Sequence, residues 1–145
     1  MQLEEKAMQA AAPSTVKSAA KKLLVAESDP QIGQTIVDLL TRLGFEVILV
    51  REARDALRKA LSDSPDAILL DSALMATGGM DVCAMLRAHK DTKGIPLGFL
   101  TGDPGSEKAA QQAGALLLIP KPFKPEQLIS SVGLLVSARR RKPAA

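Results

Sequence analysis

Short apolar runs and amphipathic stretches alternate along this chain. Leu23-Leu24-Val25-Ala26 stops at Glu27-Ser28-Asp29-Pro30. That is a buried strand followed by a helix start, since Asp29 can cap free amides and Pro30 suits the first helical position. Ile32, Ile36, Val37, Leu39, Leu40 and Leu43 then recur on one helical face, closed by Gly44. Residues 45–50 (FEVILV) predict a second strand, and Ala53 to Leu61 a second helix with Ala53, Ala56, Leu57, Ala60 and Leu61 on one side. Residues 67–70 (AILL) predict a third strand ending at Asp71, and a loop with Gly78-Gly79 leads to a helix from Met80 to about Ala88. Residues 97–100 form a fourth strand ending at Thr101, and residues 102–105 (GDPG) a turn. Ser106 to Ala113 is a short alanine-rich helix, residues 116–119 (LLLI) a fifth strand, and Pro125 opens a last helix carrying Leu128, Ile129, Val132, Leu135 and Val136. Strand then helix, five times, with strands too uniformly apolar to face water, predicts an α/β fold. The fold is a doubly wound, five-stranded parallel sheet with helices on both faces.

Composition changes this picture little. The chain has 145 residues and is 46% hydrophobic, with three Phe and no Trp or Tyr, so the core is built from aliphatic residues and alanine. The domain is expected at 21–137, between an N-terminal tail (1–20, helical before Pro13) and a basic C-terminal tail (138–145). The formal charge of +3 becomes −1 once Arg139, Arg140, Arg141 and Lys142 are set aside. The basicity thus belongs to a tail, which reads as a solvated end, and no nucleic-acid partner is expected. A single cysteine, Cys83, excludes an internal disulfide and reads as a core residue. No apolar run reaches the roughly 20 residues of a membrane span, and residues 1–22 lack the apolar core of a secretory signal. The expectation is a cytoplasmic protein without membrane contact.

In a doubly wound sheet, ligands bind beyond the carboxyl ends of the strands. Glu27-Ser28-Asp29 follows the first strand, Asp71 ends the third, Thr101 the fourth, and Lys121-Pro122 follows the fifth. Acids, a hydroxyl and an ammonium would converge on one edge. The chemistry this suggests is attack by the Asp71 carboxylate on a phosphoryl group. A hard cation such as Mg²⁺ on the carboxylate oxygens, Lys121 as a point charge and Thr101 as a hydrogen-bond donor would assist. Singly, each residue has a plainer reading: Asp71 a surface acid, Glu27 a helix-entry charge, Thr101 a cap, Lys121 an exposed lysine. His89, near the end of the third helix, suits the helix dipole.

From Lys22 to about Val136 the chain resembles a receiver domain of two-component response regulators. The resemblance rests on 23–30 (LLVAESDP), 67–71 (AILLD), 79–87 (GMDVCAMLR), 95–102 (IPLGFLTG) and 119–123 (IPKPF), in order and at the family's spacing. It implies a flavodoxin-like sheet, a phosphoacceptor at Asp71, a phosphate-sensing hydroxyl at Thr101 and a lysine at Lys121. It also implies a cis bond before Pro122 and Mg²⁺ held by Glu27, Asp71 and the backbone carbonyl of Ala73. A histidine kinase or phosphotransfer protein would donate the phosphoryl group. An unidentified protein would receive the signal on the face of the fourth helix, fifth strand and fifth helix, and a homodimer is possible. The chain would be a single-domain phosphoacceptor, not an enzyme beyond slow autophosphorylation and autodephosphorylation.

Four positions depart from the family. Ser28 replaces the second acid after the first strand, so any metal contact from it is weak or through water. Met75 replaces a proline, Gly78-Gly79 replaces Asp-Gly and should loosen that loop, and Leu118 replaces the aromatic switch residue. Ser28 and Leu118 support a second reading, a pseudo-receiver that binds proteins without phosphorylation. A dehalogenase-like phosphatase would need a second acid in Asp71-Ser72-Ala73, and a nucleotide enzyme a glycine-rich loop after the first strand. Neither is present.

Overall fold

The computed structural model describes residues 20–140. The N-terminal tail expected to be helical before Pro13, and the last five residues of the basic tail, lie outside the described residues. Five strands form one parallel sheet: β1 (Lys22–Ala26), β2 (Glu46–Val50), β3 (Ala67–Asp71), β4 (Leu97–Thr101) and β5 (Leu117–Pro120), in spatial order β2-β1-β3-β4-β5. Five helices connect and cover them: α1 (Pro30–Arg42), α2 (Ala53–Asp63), α3 (Gly79–Ala88), α4 (Glu107–Ala113) and α5 (Pro125–Arg140). The doubly wound α/β architecture expected from the sequence is the one observed.

Side-chain alternation along each strand divides the core in two. Leu24, Ala26, Ile68, Leu70 and Phe99 pack against α2, α3 and α4, while Leu23, Val25, Leu69, Leu100 and Ile119 pack against α1 and α5. Both sheet faces are therefore dry, which explains the unbroken apolar runs. Helix α2 presents a stripe of Ala53, Ala56 and Ala60 to the sheet. Leu61, expected on that stripe, is 41% exposed, because one further residue rotates it about 100° from Ala60. Leu43, also expected on a buried face, is 51% exposed; it is the C-cap of α1, already outside the helical spiral. Asp29 caps α1 as expected, accepting from the amides of Gln31 (2.8 Å) and Ile32 (3.3 Å).

Two segments differ from their expectation. The loop after Asp71 is a 3₁₀ helix, Ser72–Thr77. The glycine pair has a definite place here: Gly78 takes φ +102°, and a Cβ on Gly79 would lie 2.6 Å from the Leu74 carbonyl oxygen. Gly79 permits a close approach of backbone to backbone. The last helix passes the boundary expected at 137 and runs to Arg140.

Candidate functional site

The carboxyl ends of β1 and β3 lie side by side, with Ala26 opposite Leu70. This register brings Glu27 and Asp71 together, 1% and 2% exposed. Lys121 follows β5, and its amide donates to the Thr101 carbonyl at 2.7 Å. Its side chain reaches back across the sheet edge. Lys121 Nζ stands 2.9 Å from Glu27 Oε1 and 3.2 Å from Asp71 Oδ1, and donates to Glu27 Oε2 at 3.1 Å. The Lys121–Pro122 bond is cis, as the resemblance implied.

Asp71 is enclosed by donors. Oδ1 accepts from the Ala73 amide (3.0 Å) and Lys121 Nζ (3.2 Å); Oδ2 accepts from the Ser28 amide (3.2 Å) and the Ser28 hydroxyl (2.6 Å). Burial by itself would raise the Asp71 pKa, but the hydrogen bonds from Ser28 and Ala73 outweigh it and hold the carboxyl down to about 2. Glu27 moves the other way: burial raises its pKa, and the Asp29 amide and Lys121 offset this only in part. The two directions agree, because the charge of the pair stays on Asp71, the carboxylate with the fuller set of hydrogen-bond donors. Lys121 loses solvation too, but Glu27 and then Asp71 raise its pKa above the usual lysine value.

The remaining expected residues fall in different places. Asp29 is spent on its helix cap, apart from an amide that donates to Glu27 Oε2 at 3.0 Å. Ala73 contributes its amide to Asp71. Thr101 is buried, but its hydroxyl serves its own turn. It donates toward the Asp103 carbonyl (3.0 Å), accepts from the Asp103 amide (2.9 Å) and lies 2.7 Å from the Ser106 hydroxyl. Ser106, buried at the start of α4, was not singled out from the sequence, where it read only as a helix start. Leu118 is half-buried and lines a cleft of about 520 Å³ with Thr101, Gly102, Asp103, Glu107, Pro120 and Lys121. Cys83 lies in the core, and burial pushes its thiol up to about 11, so it is no nucleophile at neutral pH.

The carboxylates of Glu27 and Asp71 present hard oxygens at this edge, the type that Mg²⁺ takes. Glu27 Oε1 is buried and accepts no hydrogen bond, although the Lys121 ammonium stands beside it. An oxygen in that state suits a cation. The set is lean: among the described residues no three acidic, histidine or cysteine side chains gather into a metal-holding group.

Comparison with known proteins gives a consistent picture. The family model described as the response regulator receiver domain matches residues 23–133. The DNA-binding response regulator MtrA of Mycolicibacterium smegmatis is 30% identical over 126 residues, covering 86% of this chain and 54% of that protein. The response regulator MprA of Mycolicibacterium vanbaalenii is 35% identical over 124 residues, covering 84% and 52%. The chain thus spans about half the length of these relatives. Among solved structures, a putative response regulator from Chloroflexus aurantiacus superposes with a TM-score of 0.76 at 29% identity, covering 81% of this chain and 98% of that one. The receiver domain of the sensor histidine kinase PA1611 from Pseudomonas aeruginosa, described with a magnesium ion coordinated in its active-site cleft, superposes at 0.72 with 30% identity, covering 82% and 99%.

Proposed function

The chain belongs to the response regulator receiver family of two-component signalling, and on that premise we propose that it accepts a phosphoryl group on Asp71 from a histidine kinase or phosphotransfer protein. The observation that carries this reading is the buried Asp71 carboxylate at the end of β3, held ionised and paired with Lys121 beside Glu27. A carboxylate oxygen of Asp71 forms a bond to phosphorus as the donor's phosphorus–nitrogen bond breaks. Lys121 stands where it meets the charge of the incoming phosphoryl oxygens. Glu27, Asp71 and the Ala73 carbonyl are the groups that would hold Mg²⁺, which supplies further charge neutralisation when bound. Ser28 adds no charge, so cation affinity is low. The chain would do no chemistry beyond the slow formation and hydrolysis of this acyl phosphate. The phosphorylated state is passed on by contact with another protein.

Thr101 enters the reading as the hydroxyl that turns to the phosphoryl group. It would leave three hydrogen bonds in the 102–106 turn to do so, which links the site to α4. Leu118 has no ring to follow that movement.

The second reading, a receiver that works without phosphate, draws on a specific observation. Both oxygens of Asp71 already have two protein donors each. Incubation with acetyl phosphate across a Mg²⁺ titration, read by intact mass beside Asp71→Asn, separates the two. A Mg²⁺-dependent phosphate adduct absent from the variant establishes the acceptor. No adduct at any Mg²⁺ concentration, with labelling restored in Ser28→Asp, favours the phosphate-independent module.

A further inference from the structure

A carboxylate offers about four acceptor positions, and at Asp71 all four are taken. The donors are the amides of Ala73 and Ser28, Lys121 Nζ and the Ser28 hydroxyl. A cation or a phosphoryl group can reach an oxygen of Asp71 only by displacing one of them. The four are not equally movable. The two amides belong to the chain turns after β1 and β3, so moving them means moving backbone. Lys121 also holds Glu27 at 2.9 Å and 3.1 Å, so its departure leaves two buried carboxylates facing each other. The Ser28 hydroxyl is different. It sits on an exposed residue and leaves by rotation about one bond, into water.

From this the geometry points to Ser28 as a latch on Asp71: its hydroxyl competes with the divalent cation for Oδ2, and the site opens when that side chain rotates away. The inference rests on the acceptor reading of Asp71 and adds a role for Ser28 opposite to that of a metal ligand. A ligand strengthens cation binding; a latch weakens it. The 2.6 Å contact is a short hydrogen bond to a charged acceptor, among the stronger kinds. The cation must offset its loss before binding gains anything.

The test is a MgCl₂ titration followed by the amide chemical shifts of residues 27, 28 and 71–73 in the wild-type chain and three variants, each first checked for an unchanged spectrum in the strands. Ser28→Ala removes the latch, and its Mg²⁺ dissociation constant is expected to fall by about tenfold, the equivalent of one hydrogen bond to a charged group. Ser28→Thr keeps a hydroxyl and is expected to stay close to wild type. Ser28→Asp adds a charge and binds more tightly for that separate reason. Equal or weaker binding in Ser28→Ala, with binding still seen in Ser28→Asp, overturns the latch and leaves the cation-assisted acceptor standing. Absence of Mg²⁺ binding in all four chains overturns both.

Discussion

The hydroxyls of Thr101 and Ser106 lie 2.7 Å apart, both buried, at the junction of β4 with α4. Each also lies within reach of the Asp103 carbonyl, at 3.0 Å and 2.8 Å, so the two hydroxyl protons are shared between that carbonyl and the contact between the hydroxyls. One small network therefore ties the carboxyl end of β4, beside the end of β3, to the N-cap of a seven-residue helix. Replacing Ser106 with Ala leaves Thr101 a partner in Asp103 but removes a buried hydrogen bond. The expected loss is about 1 kcal/mol of unfolding free energy, read as a lower urea midpoint at unchanged slope. A midpoint equal to wild type would show that the Ser106 hydroxyl contributes nothing.

Helix α4 is held to the sheet mainly by Ala110 and Ala113, which bury little area. Amide exchange over residues 102–115 should be faster than in β1, β3 and β4, whose residues are almost fully buried. Protection as slow as in those strands would contradict this account of the helix.

The acid pair makes stability depend on pH in two opposed ways. Asp71 has a native pKa of about 2 against an ordinary 3.8. It therefore contributes stability that is present above 3.8 and lost as pH falls toward 2, worth about 2 kcal/mol. Glu27 is raised above 4.5, so its contribution is full below that value and declines as pH rises through its native pKa. Urea midpoints measured from pH 2.5 to 7 should pass through a maximum in weakly acid solution. Asp71→Asn should flatten the acid limb, and Glu27→Gln should remove the decline on the neutral side. A Glu27→Gln profile that still declines there would contradict the assignment.

Gly98 sits in the middle of β4, where a Cβ would lie 2.9 Å from Leu135 Cδ1, 3.0 Å from Leu117 Cδ1 and 3.2 Å from Leu69 Cδ2. Gly98→Val overpacks the junction of β4 with α5 and should cost about 2 kcal/mol. Gly79→Ala meets backbone rather than flexible side chain, at the Leu74 carbonyl. It should destabilise at least as much and also slow the labelling of Asp71, since the turn it disturbs carries the Ala73 amide. Thermal unfolding of both variants checks the order, and a Gly79→Ala chain as stable as wild type would refute the close-approach reading.

Cys83 should be inert to a thiol-alkylating reagent in the native state at pH 8, because burial pushes its thiol up to about 11. Intact mass with and without 6 M urea reads this directly. Rapid native alkylation would place Cys83 outside the core.

Most of the fold was legible along the chain. Buried parallel strands must be uniformly apolar, and helices over them must be apolar on one face, so the runs at 23–26, 67–70 and 97–100 and the stripe in α1 declared themselves. The carboxyl-end positions of Glu27, Asp71, Thr101 and Lys121 followed from strand order, because a parallel sheet puts all these ends on one edge. The partners of those residues were settled only in three dimensions. Ser28 and Asp71 are 43 residues apart and Lys121 and Glu27 are 94 apart, and no local pattern records which oxygen a donor will choose. Leu43 and Leu61 read as part of the apolar stripes yet face water, because Leu43 caps α1 outside its spiral and Leu61 is turned about 100° from Ala60. Thr101 bonds its own turn, to Asp103 two residues on and Ser106 five residues on, in keeping with its plainer reading as a cap. The residue types at the site came from the sequence. Tertiary packing decided their hydrogen bonds and their charge states, because both depend on which groups are excluded from water together.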